Sequence, residues 1–240
     1  MESDFVAMNQ LIGQHISLQF KHFQCLNCGE NKPIFRQGYC KECFFAVPQT
    51  ADWIMHPELS KAHLNIEERD LNYEQQMQLQ PHYVYLANTS EVKVGVTRKS
   101  QAPTRWIDQG AHEALVIAEV PNRYLAGIAE VALKQHIADK TNWRKMLTNQ
   151  FTSVDLQAVK AQLRPFIPPE VQPYIAEETA LWHLHFPVLQ YPAQVRSLQL
   201  LQTPHYEGKL VGIKGQYLIF EDNTVFNIRG NEGLVVALAL

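Results

Sequence analysis

The sequence has no uncharged apolar run near the roughly 18 residues that a membrane-spanning helix needs. A helical membrane protein is therefore excluded. The opening residues, Met1-Glu2-Ser3-Asp4, lack the basic and apolar stretches of a secretory signal, so a cytoplasmic location is expected. Charge of one sign is scarce: 21 basic against 24 acidic residues leave a formal net charge of −3. A broad basic face for nucleic acid is thereby excluded, and any such site must be local. Internal repeats and low-complexity tracts are absent. Hydrophobic residues make up 46% of the 240 positions, which excludes disorder as the main state. The length suits one large domain, or two small ones with a module.

Cysteine is missing everywhere except in one short stretch. Cys25 and Cys28 form one Cys-x-x-Cys pair, and Cys40 and Cys43 form another after eleven residues. Two such pairs can set four thiolates around one tetrahedral zinc, and the gap between them can hold a hairpin. Gly29 and Gly38 suit tight turns that aim backbone N–H groups at sulfur. The competing readings are a redox pair or two disulfides. Disulfides need export, and a redox motif needs one pair at a helix start rather than two matched pairs. A closed four-thiolate site leaves no open position for water, so the zinc expected here is structural.

Along the chain, Ile16, Leu18 and Phe20 alternate as in a strand. Residues 67–79 read as a polar, solvated helix ended by Pro81. Tyr83 to Ala87 and Val92 to Thr97 read as a β-hairpin around Asn88-Thr89-Ser90-Glu91. A short helix runs between Pro103 and Gly110, and a third strand spans Ala114 to Val120. Asn122 caps a helix expected to reach about Ala138, with Leu125, Ile128, Ala129, Ala132, Leu133 and Ile137 as its apolar stripe. A further helix is expected from Ser153, followed by a proline-rich connection. Leu210 to Ile213, Tyr217 to Phe220 and Val225 to Ile228 read as strands of a small β-barrel or sandwich.

The expected fold is α+β in three parts: a strand and zinc-ribbon-like module over 1–66, a central β-β-α-β-α domain over 67–150, and a helical connection with a β domain over 151–240. Within the central part, Tyr85 lies on the first strand, Arg105 on the short helix, Glu130 on the long helix and Asn142 beyond it. Glu130 flanks the apolar stripe, one turn from Ala126 and Lys134. Lys140, Trp143, Arg144 and Lys145 form a local basic-aromatic cluster suited to phosphates and base stacking.

On these residues the central part resembles the GIY-YIG nuclease domain. Tyr83-Val84-Tyr85 matches its first motif with Tyr83 in place of glycine. Lys93-Val94-Gly95-Val96-Thr97 matches the second with Lys93 in place of tyrosine. Arg105, Glu130 and Asn142 match the family's arginine, glutamate and asparagine. The whole chain is also similar to a bacterial family known as domain of unknown function 2797. That likeness rests on the cysteine pairs, Leu79-Gln80-Pro81-His82, Lys93 to Thr97, Thr104 to Gly110 and Lys140 to Lys145. The nuclease resemblance implies a metal-dependent endonuclease acting on DNA or RNA. Glu130 would hold a magnesium or manganese ion, Arg105 would bind the scissile phosphate and Tyr85 would position or deprotonate the attacking water. Lys93 would hold phosphate and Asn142 would order the site. The alternatives are a nucleic-acid-binding protein without turnover, or a zinc-ribbon adaptor for a protein partner.

Overall fold

Unbroken apolar runs such as Tyr83 to Ala87 belong to strands covered on both faces. In the computed structural model, which describes residues 6–137 and 141–240, these runs build a four-stranded antiparallel sheet. Its order is Val92–Arg98, His82–Asn88, Glu113–Val120 and Trp182–His183. Tyr85 pairs with Gly95 on one side and Val116 on the other, and Ala87 pairs with Lys93. Side chains alternate across the sheet, so Tyr85, Lys93 and Gly95 share a face.

The opposite face carries Val84, Leu86, Val94, Leu115 and Ile117. Helix Arg123–Leu133 covers it through Ala126, Ala129 and Leu133, joined by Leu156 and Leu163 of helix Leu156–Leu163. Asn122 caps the first of these as expected, its Oδ1 accepting from Leu125 N–H at 3.0 Å. That helix ends at Leu133, short of the expected end. Lys134–Ile137 continue as turns, with His136 stacked on Phe166 at 3.6 Å, and Ala138 lies outside the described residues. On the Tyr85 face, Trp106 of the short helix Thr104–Asp108 packs with Tyr85, Ala87, Ala114 and Val116.

The helix expected over 67–79 is Leu71–Gln78, and it is not simply solvated. Glu74 and Gln78 are buried. The Glu74 carboxylate accepts from the N–H groups of Glu68, Arg69 and Asp70, which ties the segment leading into the helix back onto its first turn.

A second sheet has six strands in the order Leu234–Ala239, His15–Phe23, His205–Lys214, Tyr217–Phe220, Thr224–Asn227 and Arg196–Ser197. Ile16 and Leu18 turn into a core with Leu210, Leu218, Phe220 and Phe226. The sheet has two edges and does not close, so the C-terminal strands form no closed barrel among the described residues. By contacts the chain falls into two compact units. One holds the described parts of Met1–Phe44, Leu147–Asn149 and His185–Leu240; the other holds Phe45–Met146 and Gln150–Leu184. The described residues contain no helix long and apolar enough to cross a membrane.

Candidate functional site

Gln37 and Gly38 both take positive φ, 52° and 79°, the geometry of a tight two-residue hairpin turn. This turn joins strand Ile34–Arg36 to Tyr39–Cys40 and brings the second cysteine pair back onto the first. A Cβ at Gly38 would also stand 2.3 Å from Leu26 Cδ1, so the exposed leucine side chain would have to swing aside. The Sγ atoms of Cys25, Cys28, Cys40 and Cys43 all lie within 4.8 Å of one another, and none is in a disulfide. A tetrahedral ion with bonds of about 2.3 Å needs sulfurs about 3.8 Å apart, so the cluster fits one. The N–H aimed at sulfur comes from Cys40, at 3.3 Å from Cys25 Sγ, and Asn27 Nδ2 donates to Cys43 Sγ at 3.3 Å. Gly29 N–H instead bonds the Cys25 carbonyl. Burial works against the Cys25 thiolate, but the N–H groups of Cys40, Cys28 and Asn27 hold its thiol down at about 6. For Cys43, the Asn27 hydrogen bond is outweighed by burial and by the three other sulfurs, which push it up to about 11. Four sulfur donors crowded together in this way are placed to hold a metal ion, and the all-sulfur set suits zinc. They are the only such group of three or more ligating side chains among the described residues.

The second set of residues gathers around the edge strand Val92–Arg98. Tyr85 is fully buried, and its ring leans over Gly95, where a Cβ would be 2.8 Å from the hydroxyl. Its Oη donates to Gln109 Oε1 at 3.1 Å, and its ring meets Trp106 edge-on at 5.8 Å. Burial pushes the phenol's pKa up, the neighbouring Arg105 guanidinium and Gln109 pull it down, and the Glu130 carboxylate raises it again. Lys93 is buried on the same face of the sheet.

Glu130 sits on the helix covering the opposite face, and that helix packs against the edge strand and the strand beside it. The phenol and the helix that carries the carboxylate thus lie on opposite faces of the sheet, and the Glu130 charge still acts on the phenol. Burial raises the Glu130 carboxyl, while Lys134, with Nζ at 3.6 Å, and Arg123 lower it.

Asn142 lies elsewhere. Its Oδ1 accepts from Lys145 N–H at 3.2 Å and caps the helix Trp143–Leu147. That helix is tied to the hairpin turn by Lys145 to Glu91 at 2.9 Å. No hydrogen bond or ion pair joins Asn142 to Tyr85, Arg105 or Glu130 among the described residues. Arg144 folds over its neighbour Trp143, 4.3 Å above the ring, and Lys140 lies outside the described residues.

Three participants escaped the sequence reading. Gln109 lies in the run from Thr104 to Gly110 with no signal of its role. Arg123 carried one: a cation in the first turn of a helix opposes the helix dipole and needs a compensating reason. The reason is that its guanidinium donates to the carbonyls of Trp53 and Ile54 at 3.1 and 2.8 Å and lies over the Trp53 ring. Burial lowers its pKa to about 10. Glu58 arrives from far along the chain, because Gly127 lets the 3₁₀ turn Pro57–Leu59 press backbone to backbone on the helix.

Fold and site together define an α+β protein with a four-cysteine metal-ligand cluster and a separate buried group of charged side chains beside a sheet edge. The chain belongs to the family described as "Protein of unknown function (DUF2797)", whose model matches residues 13–236. No curated protein and no solved structure matches it.

Proposed function

We propose that this protein is a metal-dependent, nuclease-like phosphodiesterase of the GIY-YIG kind, acting on DNA or RNA and carrying a structural zinc on Cys25, Cys28, Cys40 and Cys43. The observation that carries the reading is that the Arg105 and Glu130 charges both act on the buried Tyr85 phenol and shift its ionisation. The strand-strand-helix-strand-helix order from His82 to Leu133 supports it. A divalent magnesium or manganese ion on Glu130 would supply charge neutralisation at phosphorus. Arg105 forks onto the scissile phosphate and Lys93 adds a point charge. Tyr85 keeps its proton at neutral pH because burial holds its pKa high, so it does not act as a base; to orient the attacking water or a phosphate oxygen its hydroxyl must exchange its bond to Gln109 for one to that ligand. Lys140, Trp143, Arg144 and Lys145 extend the contact along the strand of nucleic acid. Reduced thiols on the metal suit the cytoplasm.

A second reading, nucleic-acid binding without turnover, is favoured by one specific feature. Burial raises the pKa of the Tyr85 phenol, which makes it a poor base at neutral pH. Incubating the protein with plasmid DNA and with structured RNA in magnesium or manganese separates the two. Wild type should cleave, and Glu130→Ala should bind with a salt-dependent affinity but not cleave. Binding without cleavage by wild type selects the second reading. Neither cleavage nor binding overturns both and leaves a protein-partner adaptor.

A further inference from the structure

A cavity of about 200 Å³ opens between helix Leu156–Leu163 and the third strand of the central sheet. Its apolar surfaces come from Ile117, Ile167 and Ile175, and its charges from Lys160, Arg164 and Glu177. A more open depression beside it shares Ala161, Arg164 and Ile175, which gives the cavity a way in.

The charges in this space do not balance. Arg164 donates from both terminal nitrogens to both oxygens of Glu177, at 2.8 and 2.6 Å, so that pair is internally satisfied. Lys160 is only 9% exposed, and its ammonium donates to two neutral oxygens, the Ala176 carbonyl and Thr179 Oγ1. Two cations share one carboxylate, which leaves one positive charge over in the lining; burial lowers the lysine's pKa, the Glu177 carboxylate raises it and Arg164 lowers it. An ammonium withdrawn from water is costly unless an anion meets it. A lining of isoleucines with a few convergent polar groups is the common form of a small-molecule site.

We propose that this cavity binds a small monocarboxylate with a straight apolar body, its carboxylate on Lys160 and its chain against Ile117, Ile167 and Ile175. A single negative charge matches the single excess positive charge, whereas a phosphate dianion would exceed it and find few further donors. At about 30 Å³ per water-sized group, 200 Å³ accommodates roughly six such groups, which sets hexanoate as the probe. The inference is independent of the phosphodiesterase reading.

Isothermal titration of the full chain with hexanoate, 1-hexanol and hexylamine tests it. Hexanoate should bind saturably with one site, and the alcohol and amine should bind about tenfold or more weakly, for want of a charge-assisted hydrogen bond. Lys160→Met should weaken hexanoate by about tenfold or more while circular dichroism stays unchanged. Ala161→Phe, a change at an exposed lining position, should block the site without touching the lysine, and it keeps the test valid if Lys160→Met fails to fold. No saturable hexanoate binding, equal binding of the alcohol, or undiminished binding by both variants overturns the proposal.

Discussion

Tyr85 and Gly95 pair across the first two strands of the central sheet, and the phenol hydroxyl occupies the space that a side chain at position 95 would take. The glycine is therefore a steric requirement of the tyrosine's orientation. Gly95→Ala should displace the ring, break its hydrogen bond to Gln109 and cost about 1–3 kcal/mol by overpacking. Urea unfolding measures the cost. A neutral Gly95→Ala would show that the phenol can move aside freely.

Gly127 makes a second test of close approach, with a useful sign. Glycine to alanine inside a helix ordinarily stabilises by about 0.5–1 kcal/mol. Here a Cβ would stand 2.2 Å from Glu58 N, a backbone atom that cannot swing away. Gly127→Ala should destabilise instead, by about 1–3 kcal/mol. A stabilised variant would mean that the Pro57–Leu59 turn is not seated on the helix.

The cysteine cluster makes a prediction about metal. Purified protein should contain one zinc per chain by elemental analysis, and Cys40→Ser should lose it. A strong chelator should lower the melting temperature, because binding energy to the native state is folding energy. Stoichiometric zinc retained in Cys40→Ser would contradict the four-cysteine site.

His82 is buried at the start of the first strand, with Nδ1 at 2.6 Å from the Gln80 carbonyl. Burial lowers its pKa from 6.5 to about 4. Between those values the unfolded chain binds the proton and the native state does not. This group's contribution to stability is therefore full above pH 6.5 and lost as pH falls toward about 4. Chemical denaturation at several pH values, comparing wild type with His82→Leu, should show a shallower acid loss in the variant. Equal slopes would contradict the assignment.

Much of this was legible from residue patterns, for reasons that are local. The hairpin, the third strand and the Asn122-capped helix follow from short-range periodicity and capping, and the cysteine spacing carries its own geometry. What was not legible depends on distant partners. Strand His15–Phe23 pairs with Leu234–Ala239 at the other end of the chain, which no local pattern announces. Helix Arg123–Leu133 stops early as the following turns bring His136 onto Phe166. Arg123 and Glu58 join the charged group only through the packing of residues 53–58 on that helix. Asn142, matched by motif, caps its own helix instead of meeting Tyr85.

The central claim is that Arg105 and Glu130 act on one phosphate. A double-mutant cycle on oligonucleotide cleavage in magnesium, with Arg105→Ala, Glu130→Ala and the double variant, tests it most directly. If the two serve one site, the double variant should be little worse than the poorer single variant, as for residues that act as a unit. If the two losses multiply, or if either single variant cleaves as wild type does, the groups work apart and the proposed site does not exist.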